Sequence, residues 1–212
     1  KRPFFLENAG VFSVNNQGPA SGRNLGQTEF FFSRRIGVSD TGTQIPILAG
    51  ARLSGKVSDT VSVGFINMQT ESIGSTAPAN NFTVARLRKD LPNRSSIGGI
   101  FVNRQGTGNQ TTSNDHNRAY SVDGRWGVGE NGMVQGFVGR TQTPGLAGRD
   151  HAMSFSTRYD SESWRFISGY QENGENFNPE VGFTRRTGGF RKFDFGLNNT
   201  SRPQGFLKFQ EL

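Results

Sequence analysis

Strict alternation of apolar and polar side chains marks residues 120–128, which read Tyr120-Ser121-Val122-Asp123-Gly124-Arg125-Trp126-Gly127-Val128. In a β-strand, successive side chains point to opposite faces, so the aromatic and aliphatic residues share one face and the charged residues share the other. The same period of two recurs in residues 49–57, 153–159, 164–170 and 191–198. These stretches predict amphipathic strands in an all-β protein.

Three further stretches predict strands with a less regular pattern. Residues 61–69 and 97–104 carry apolar side chains on both faces, and residues 82–90 place Val84 and Arg86 on the same side. A β-bulge, or a segment packed against the inner side, would explain these departures. When residues 29–34 and a C-terminal fragment that begins at residue 205 are added, we predict about eleven strands of roughly 8 to 11 residues.

The connections between the predicted strands alternate between short and long. Short joints are expected at residues 58–59, 91–94, 129–132, 160–162 and 200–205, and long polar segments at residues 35–46, 70–81, 105–117, 141–150 and 172–187. Tight turns on one edge and long loops on the other are typical of transmembrane β-barrels, whose strands need about 9–11 residues. We therefore predict an antiparallel up-and-down meander that is part of a larger transmembrane β-barrel.

The predicted organisation has two parts. Residues 1–27 are an irregular lead-in, expected in the periplasm or inside the lumen, and residues 28–212 are the partial barrel. The chain opens at Lys1 without a signal peptide, and an odd number of strands does not close a typical bacterial barrel. We therefore expect a domain truncated at both ends.

The composition is compatible with a barrel. Hydrophobic residues make up 32% of the chain and the mean hydropathy is −0.58, which fits a barrel because only every second side chain contacts lipid. No stretch approaches the roughly 18 apolar residues of a membrane helix. The absence of cysteine suits an exported bacterial protein.

Charged side chains recur on the polar faces of the predicted strands. In a barrel these faces converge on the interior, where water or cross-strand pairing tolerates charge. One interpretation is an interior or pore that mildly favours anions. The alternative is a structural ladder of arginine–aspartate contacts, or simply the wetted face of a sheet. The candidates for lumen-facing charge are Arg52, Lys56, Asp123, Arg125, Arg158, Arg165, Lys192 and Asp194.

The two tryptophans and three tyrosines of the chain all fall near strand ends on the apolar face. Trp126, Tyr159 and Trp164 lie toward the short joints, whereas Tyr120 and Tyr170 lie toward the long loops. Because such rings favour membrane–water boundaries, we predict two aromatic girdles. The alternative is the general preference of large aromatic residues for strands.

Other chemistries lack the residue patterns that they need. His116 and His151 lie in or beside polar loops without the converging ligands of a metal site or an acid–base pair, so no metal, cofactor or enzymatic activity is predicted. The net charge of +7 is spread along the chain without a recognition helix or an RNA-binding signature, which argues against a nucleic-acid partner. Gly98 and Gly99 are expected to serve sheet curvature or a close approach of backbone.

A set of ordered motifs resembles one known family. The motifs are residues 1–7, 32–37, 46–56, 94–98, 117–120 and 176–183, which read KRPFFLE, FSRRIG, PILAGARLSGK, RSSIG, NRAY and NFNPEVGF. Together they resemble the uncharacterised outer-membrane β-barrel domain that follows a family 9 carbohydrate-binding module in large exported proteins of Gram-negative bacteria. The resemblance implies an outer-membrane location, a sugar-binding module upstream and further strands downstream. It carries over no catalytic residue.

Three functional hypotheses follow, and the first is preferred. An outer-membrane barrel segment would contact lipid as an anchor or pore, keep its N-terminal side in the periplasm, and connect to carbohydrate through a module absent from this chain. A soluble, secreted β-sandwich that binds carbohydrate would need aromatic platforms in its loops. The long loops contain no Trp or Tyr, and Phe177 and Phe183 are the large rings of the clearest one. A glycoside hydrolase would need a suitably spaced pair of carboxylates, and no such pair is found.

Overall fold

The protein is all-β in a computed structural model that describes residues 9–14, 28–39, 42–74, 77–109 and 111–201. Its strands are β1 (Thr28–Glu29), β2 (Ile47–Lys56), β3 (Val61–Thr70), β4 (Ala79–Leu91), β5 (Ser95–Thr107), β6 (His116–Val128), β7 (Gly132–Gln142), β8 (His151–Asp160), β9 (Trp164–Asn173), β10 (Phe183–Thr184) and β11 (Phe190–Asn199). Nine of them form one antiparallel sheet in the order β2 to β9 and then β11, while β1 pairs with β10. The predicted antiparallel up-and-down meander is confirmed.

Short and long connections alternate along the meander. The connections at residues 57–60, 92–94, 129–131 and 161–163 have three or four residues and lie on one side, which we call the short-turn edge. The connections at residues 71–78, 108–115, 143–150 and 174–189 have eight or more residues and lie on the opposite side, the long-loop edge. Asn93, Arg94 and Gly129 have φ values of 54°, 56° and 56°, the left-handed conformation that tight turns require.

Continuous strand pairing divides the sheet into two faces. Cross-strand pairs join Ile66 to Val84 and Val84 to Val102, and these side chains are almost completely buried. We call their side the inner face. The opposite side, the outer face, carries exposed residues such as Leu87 and Val122. The period of two then assigns the other strand residues to one face or the other.

The short-turn edge of the sheet is staggered. Val61, the first residue of β3, pairs with Lys89, and β4 continues two residues beyond that pair. Ser96 of β5 pairs with Arg125 of β6. Toward the short-turn edge, β5 extends one residue past this pair and β6 extends three, so the end of β6 lies two residues farther out than the end of β5. The turns therefore advance by about one residue per strand, as occurs when tilted strands close into a barrel.

The hydrophobic core lies against the inner face. Residues 28–36 and 176–184 cover this face toward the long-loop edge, and residues 9–14 cover the middle of β2 and β3. We call these three segments the inner layer. Their buried members include Phe12, Phe30 and Val181, which belong to the same cluster as Val84 and Val102 of the sheet. The inner layer explains why β3 to β5 carry apolar side chains on both faces. The pairing of β3 with β4 and of β4 with β5 has no bulge, so the packed segment, and not a β-bulge, explains their pattern.

Residues 29–34 do not form the predicted strand. Pairing of this segment is limited to Thr28 and Glu29, and a 3-10 turn follows at Ser33–Arg35. The reason is that Phe30 points into the core with 1% of its surface exposed, which draws the chain onto the inner face. The strand expected after residue 205 lies outside the described residues. Of the predicted lead-in, residues 9–14 are described and contain a 3-10 turn at Ala9–Phe12.

Candidate membrane-facing surface and charged interior

Large apolar side chains cover the outer face of the sheet. Sixteen of them, spread over all nine strands, are between 40% and 71% exposed. A soluble monomer rarely exposes a contiguous apolar patch beyond a few hundred Å². The sixteen are Leu53, Phe65, Leu87, Ile97, Phe101, Tyr120, Val122, Trp126, Val128, Val138, Phe155, Tyr159, Trp164, Phe193, Phe195 and Leu197.

Toward the long-loop edge the outer face becomes polar. The Asn67 amide donates hydrogen bonds to Asn81 at 3.0 Å and to Thr83 at 2.9 Å, and Gln69 donates to Thr107 at 2.9 Å. Farther along the edge, the Tyr170 hydroxyl donates to Glu172, which also lies 3.1 Å from Arg191. The apolar surface is therefore a band that ends before the strands do.

The five predicted girdle residues all lie on the outer face. Trp126, Tyr159 and Trp164 stand near the short-turn edge, whereas Tyr120 and Tyr170 stand nearer the long loops. Across the three strand steps from β6 to β9, each row shifts by four residues toward the short-turn edge. Over the same steps, the strand ends at this edge advance by two residues, so each row comes two residues nearer to the edge between β6 and β9.

All eight predicted charged residues lie on the inner face. Arg158 and Arg165 both bond to Asp160, at 2.5 Å and 2.6 Å, and Lys192 lies 3.2 Å from Asp194. The contacts of Arg158 and Arg165 are thus of the arginine–aspartate kind, and that of Lys192 is a lysine–aspartate contact. Sequence reasoning missed Asp160, the shared acceptor, because it was assigned to the adjoining turn.

The other basic residues of the set make different contacts. The Arg52 guanidinium lies 5.3 Å from the ring centroid of Phe12, and Arg125 Nε lies 2.8 Å from the sulfur of Met133. Lys56 donates to a backbone carbonyl of the first short turn. Among the described residues, neither Arg125 nor Lys56 forms an ion pair with a carboxylate, so these two positive charges are not neutralised by a contacting acid.

Asp123 forms a buried ion pair that spans three strands. Arg86 of β4 reaches across β5 and bonds both carboxylate oxygens, at 2.5 Å and 2.9 Å. It passes over Gly98, where an added Cβ would lie 2.9 Å from two guanidinium nitrogens. The sequence signal for this pair was Arg86 on the same side of its strand as Val84. The backbone carbonyl oxygen of Leu87 lies equally close to that Cβ position, at 2.9 Å, so Gly98 serves a close approach of both a side chain and backbone.

Two glycines of the sheet make room for the inner layer. An added Cβ on Gly64 would lie 2.7 Å from the ring of Phe12, and one on Gly139 would lie 2.5 Å from the ring of Phe30. Phe30 in turn packs edge-to-face against Phe137 of the sheet, with ring centroids 5.5 Å apart. The rings of the inner layer therefore occupy the space that these glycines leave on the inner face of the sheet.

Polar contacts also bind the inner layer to the sheet. Arg104 of β5 lies 2.6 Å from Glu180 in the inner layer and 2.6 Å from Asp115 in a long loop. Asn117 donates to the carbonyl of residue 178 at 2.8 Å and accepts from the amide of Glu180 at 3.3 Å. On β9, Gln171 donates to Thr28 at 2.9 Å. Sequence reasoning missed these residues, because their partners are distant in the chain.

One ion pair of the long-loop edge shifts a carboxyl pKa outside the strands. Arg140 donates two hydrogen bonds of 3.0 Å to Asp150. The hydrogen bond from Arg140 holds the pKa of Asp150 below its usual range. This pair joins the loop between β7 and β8 to strand β7.

The two histidines have different surroundings. His151 Nε2 is 3.3 Å from Glu172, whereas His116 Nε2 is buried and has no hydrogen-bond partner among the described residues. Across the ranges that the structure describes, no three His, Asp or Glu side chains converge in a way that could hold a metal ion. In the same ranges, no helix is long and apolar enough to cross a membrane.

Comparisons with protein-family models, curated proteins and solved structures find no match for this chain. The resemblance to the outer-membrane domain therefore stays a prediction.

Proposed function

We propose that this chain is a segment of an outer-membrane β-barrel that anchors a larger protein in the membrane. The observation that carries the proposal is the exposed apolar band on all nine strands, opposite a face that holds the ion pairs of Arg86, Arg158 and Lys192. Lipid contact on the outside and polar contents on the inside are the pattern of this class. A sheet of a soluble protein instead buries its apolar face and exposes its polar face to water.

The dimensions of the sheet support a membrane crossing. The nine meander strands have 10 to 13 residues. At about 3.3 Å per residue and a tilt of about 40°, ten residues span roughly 25 Å, the height of the apolar band in known barrels. The staggered turns and the two aromatic rows are compatible with strands tilted in this way.

The loop lengths support one orientation. Barrels of this class keep short turns in the periplasm and extend long loops outward. The short-turn edge would then face the periplasm, and the long-loop edge would face the outside. On this proposal the direct partner is membrane lipid, and any carbohydrate binding belongs to the upstream module that the resemblance implies. We assign no enzymatic activity or nucleic-acid partner to the segment.

A matched pair of substitutions tests the membrane assignment. Val122 lies between the two aromatic rows, whereas Val128 lies beyond Trp126 at the short-turn edge; the two valines share a strand and are 54% and 52% exposed. In a bilayer, arginine costs about 2–4 kcal/mol near the midplane and about 0–1 kcal/mol near the interface. We expect Val122→Arg to lower the free energy of unfolding by the larger amount and Val128→Arg by the smaller one. Urea titration of the full-length protein in lipid vesicles measures both.

A soluble protein would respond differently to the same pair. Two surface positions of equal exposure would both change stability by no more than about 0.5 kcal/mol. Equal small effects would therefore overturn the proposal. Recovery of the full-length protein with soluble proteins, or a gel mobility in detergent that boiling does not change, would do the same.

The alternative of a soluble, secreted β-sandwich receives less support. In a sandwich a second sheet packs on the apolar face of the first, at a distance of about 10 Å. In the described ranges, the packed inner layer lies on the opposite face, against Val84 and Val102. Of the long-loop rings that could stack on sugar, Phe177 is buried against Phe30.

A further inference from the structure

The inner layer extends across most of the sheet. At one end, Phe12 lies over Gly64 of β3 and beside Arg52 of β2. At the other end, Thr28 bonds to Gln171 of β9. Its contacts therefore reach from the second strand to the ninth. A segment that merely crossed the barrel mouth would contact fewer strands.

Two kinds of contact hold the inner layer in place. Aromatic rings occupy space that glycines leave open in the wall, as Phe12 does over Gly64. Charged and amide side chains bond the layer to the wall, and Arg104 is the centre of this second group, with its guanidinium shared between Glu180 and Asp115. The contacts of Arg104 and Phe30 lie toward the long-loop edge, whereas Phe12 lies over Gly64, three residues from the short-turn end of β3.

The remainder of the inner face is basic. Toward the short-turn edge, the inner-face positions hold five basic residues and two carboxylates, an excess of three positive charges. The basic residues are Lys56, Arg88, Arg125, Arg158 and Arg165, and the carboxylates are Asp90 and Asp160. A water-filled space lined in this way concentrates anions.

We infer that the inner layer is a plug, which closes the interior of the barrel and leaves a basic vestibule, selective for anions, open at the short-turn edge. The inference rests on the proposed function, because a plug requires a closed barrel around it. It distinguishes an anchor with a blocked interior from an open pore. Displacing the plug would join the vestibule to the other side and create an anion-conducting channel.

Glycine substitutions separate the plug from the wall. A leucine at Gly64 would meet side-chain atoms of Phe12 and Val11, which belong to the inner layer, and would therefore press on the layer. A leucine at Gly99 projects from the outer face, where the nearest atom to an added Cβ is a carbonyl oxygen at 3.6 Å. Gly99→Leu is thus the matched control. Arg104→Met removes the polar anchor, and the Gly64→Leu/Arg104→Met double variant removes both kinds of contact.

The test measures ion conductance of the full-length protein in planar lipid bilayers bathed in KCl. We expect wild type and Gly99→Leu to be silent and the double variant to conduct, with a reversal potential in a KCl gradient that reports chloride preference. A wild type that conducts as well as the double variant would overturn the inference. A double variant that keeps its heat-modifiable barrel but stays silent, or one that prefers potassium, would also overturn it.

The same preparations show which proposal has failed. Loss of heat-modifiability and of vesicle insertion in the wild type contradicts the barrel itself. A wild type that inserts as an intact barrel and conducts contradicts the plug alone.

Discussion

Replacing Asp123 by leucine tests how much the sheet depends on its buried ion pair. Asp123 and Arg86 have side chains that are 11% and 2% exposed, so the substitution leaves a guanidinium charge with little access to water. Two unit charges about 4 Å apart interact by about 4 kcal/mol at an effective dielectric constant of about 20. Breaking a buried pair by removing one partner costs about 3–5 kcal/mol, which agrees with that figure. We expect Asp123→Leu to lower the free energy of unfolding by this amount.

Two further variants isolate the cause of that loss. Arg88 and Asp90 form a similar pair on the same strand as Arg86, but their side chains are 39% and 41% exposed, so Asp90→Leu is expected to cost no more than about 1 kcal/mol. The Arg86→Met/Asp123→Leu double variant removes both charges and should recover most of the stability. Urea titration in lipid vesicles, followed by tryptophan fluorescence, measures all three. The reasoning is refuted if Asp123→Leu and Asp90→Leu cost the same, or if the double variant is no more stable than Asp123→Leu.

Adjacent glycines provide a second test of the same pair. Gly98→Val should cost about as much as losing the ion pair, because its side chain displaces Arg86, whereas Gly99→Val should change unfolding stability by no more than about 0.5 kcal/mol; equal urea midpoints would contradict this. A third prediction concerns pH. Because the folded pKa of Asp150 is lowered by Arg140, its stabilising contribution is full above the ordinary carboxyl pKa of about 4 and disappears as the pH falls through the lowered value. The stability difference between wild type and Asp150→Asn should therefore shrink in acid, and a difference that stays constant would show that the ion pair is not its source.

The strand pattern could be predicted from sequence because it follows from local geometry. In residues 120–128, the alternation that places Val122 and Asp123 on opposite faces results from the pleat of a single strand. The short connections were identifiable for a similar reason, since Gly129 and the polar residues around it form a tight turn without help from distant residues. The meander followed once short and long connections alternated.

The candidate site could be predicted only in part. The face of each charged residue was predictable, but its partner was not, because Arg86 meets Asp123 across an intervening strand whose register is set by the whole sheet. Likewise, the five aromatic residues were assignable to a face. Their arrangement in two rows depends on the stagger between neighbouring strands.

The sequence by itself determined the class of fold, the alternation of connections and the division into an apolar and a charged face, since all three depend on neighbouring residues. Only the tertiary structure decided the position of the inner layer. Residues 29–34 have an apolar pattern that suits a strand, yet Phe30 is buried against Phe137 and Phe177, more than 100 residues away in the chain. Burial against these distant side chains outweighs the local strand preference, and no window of sequence around Phe30 contains them.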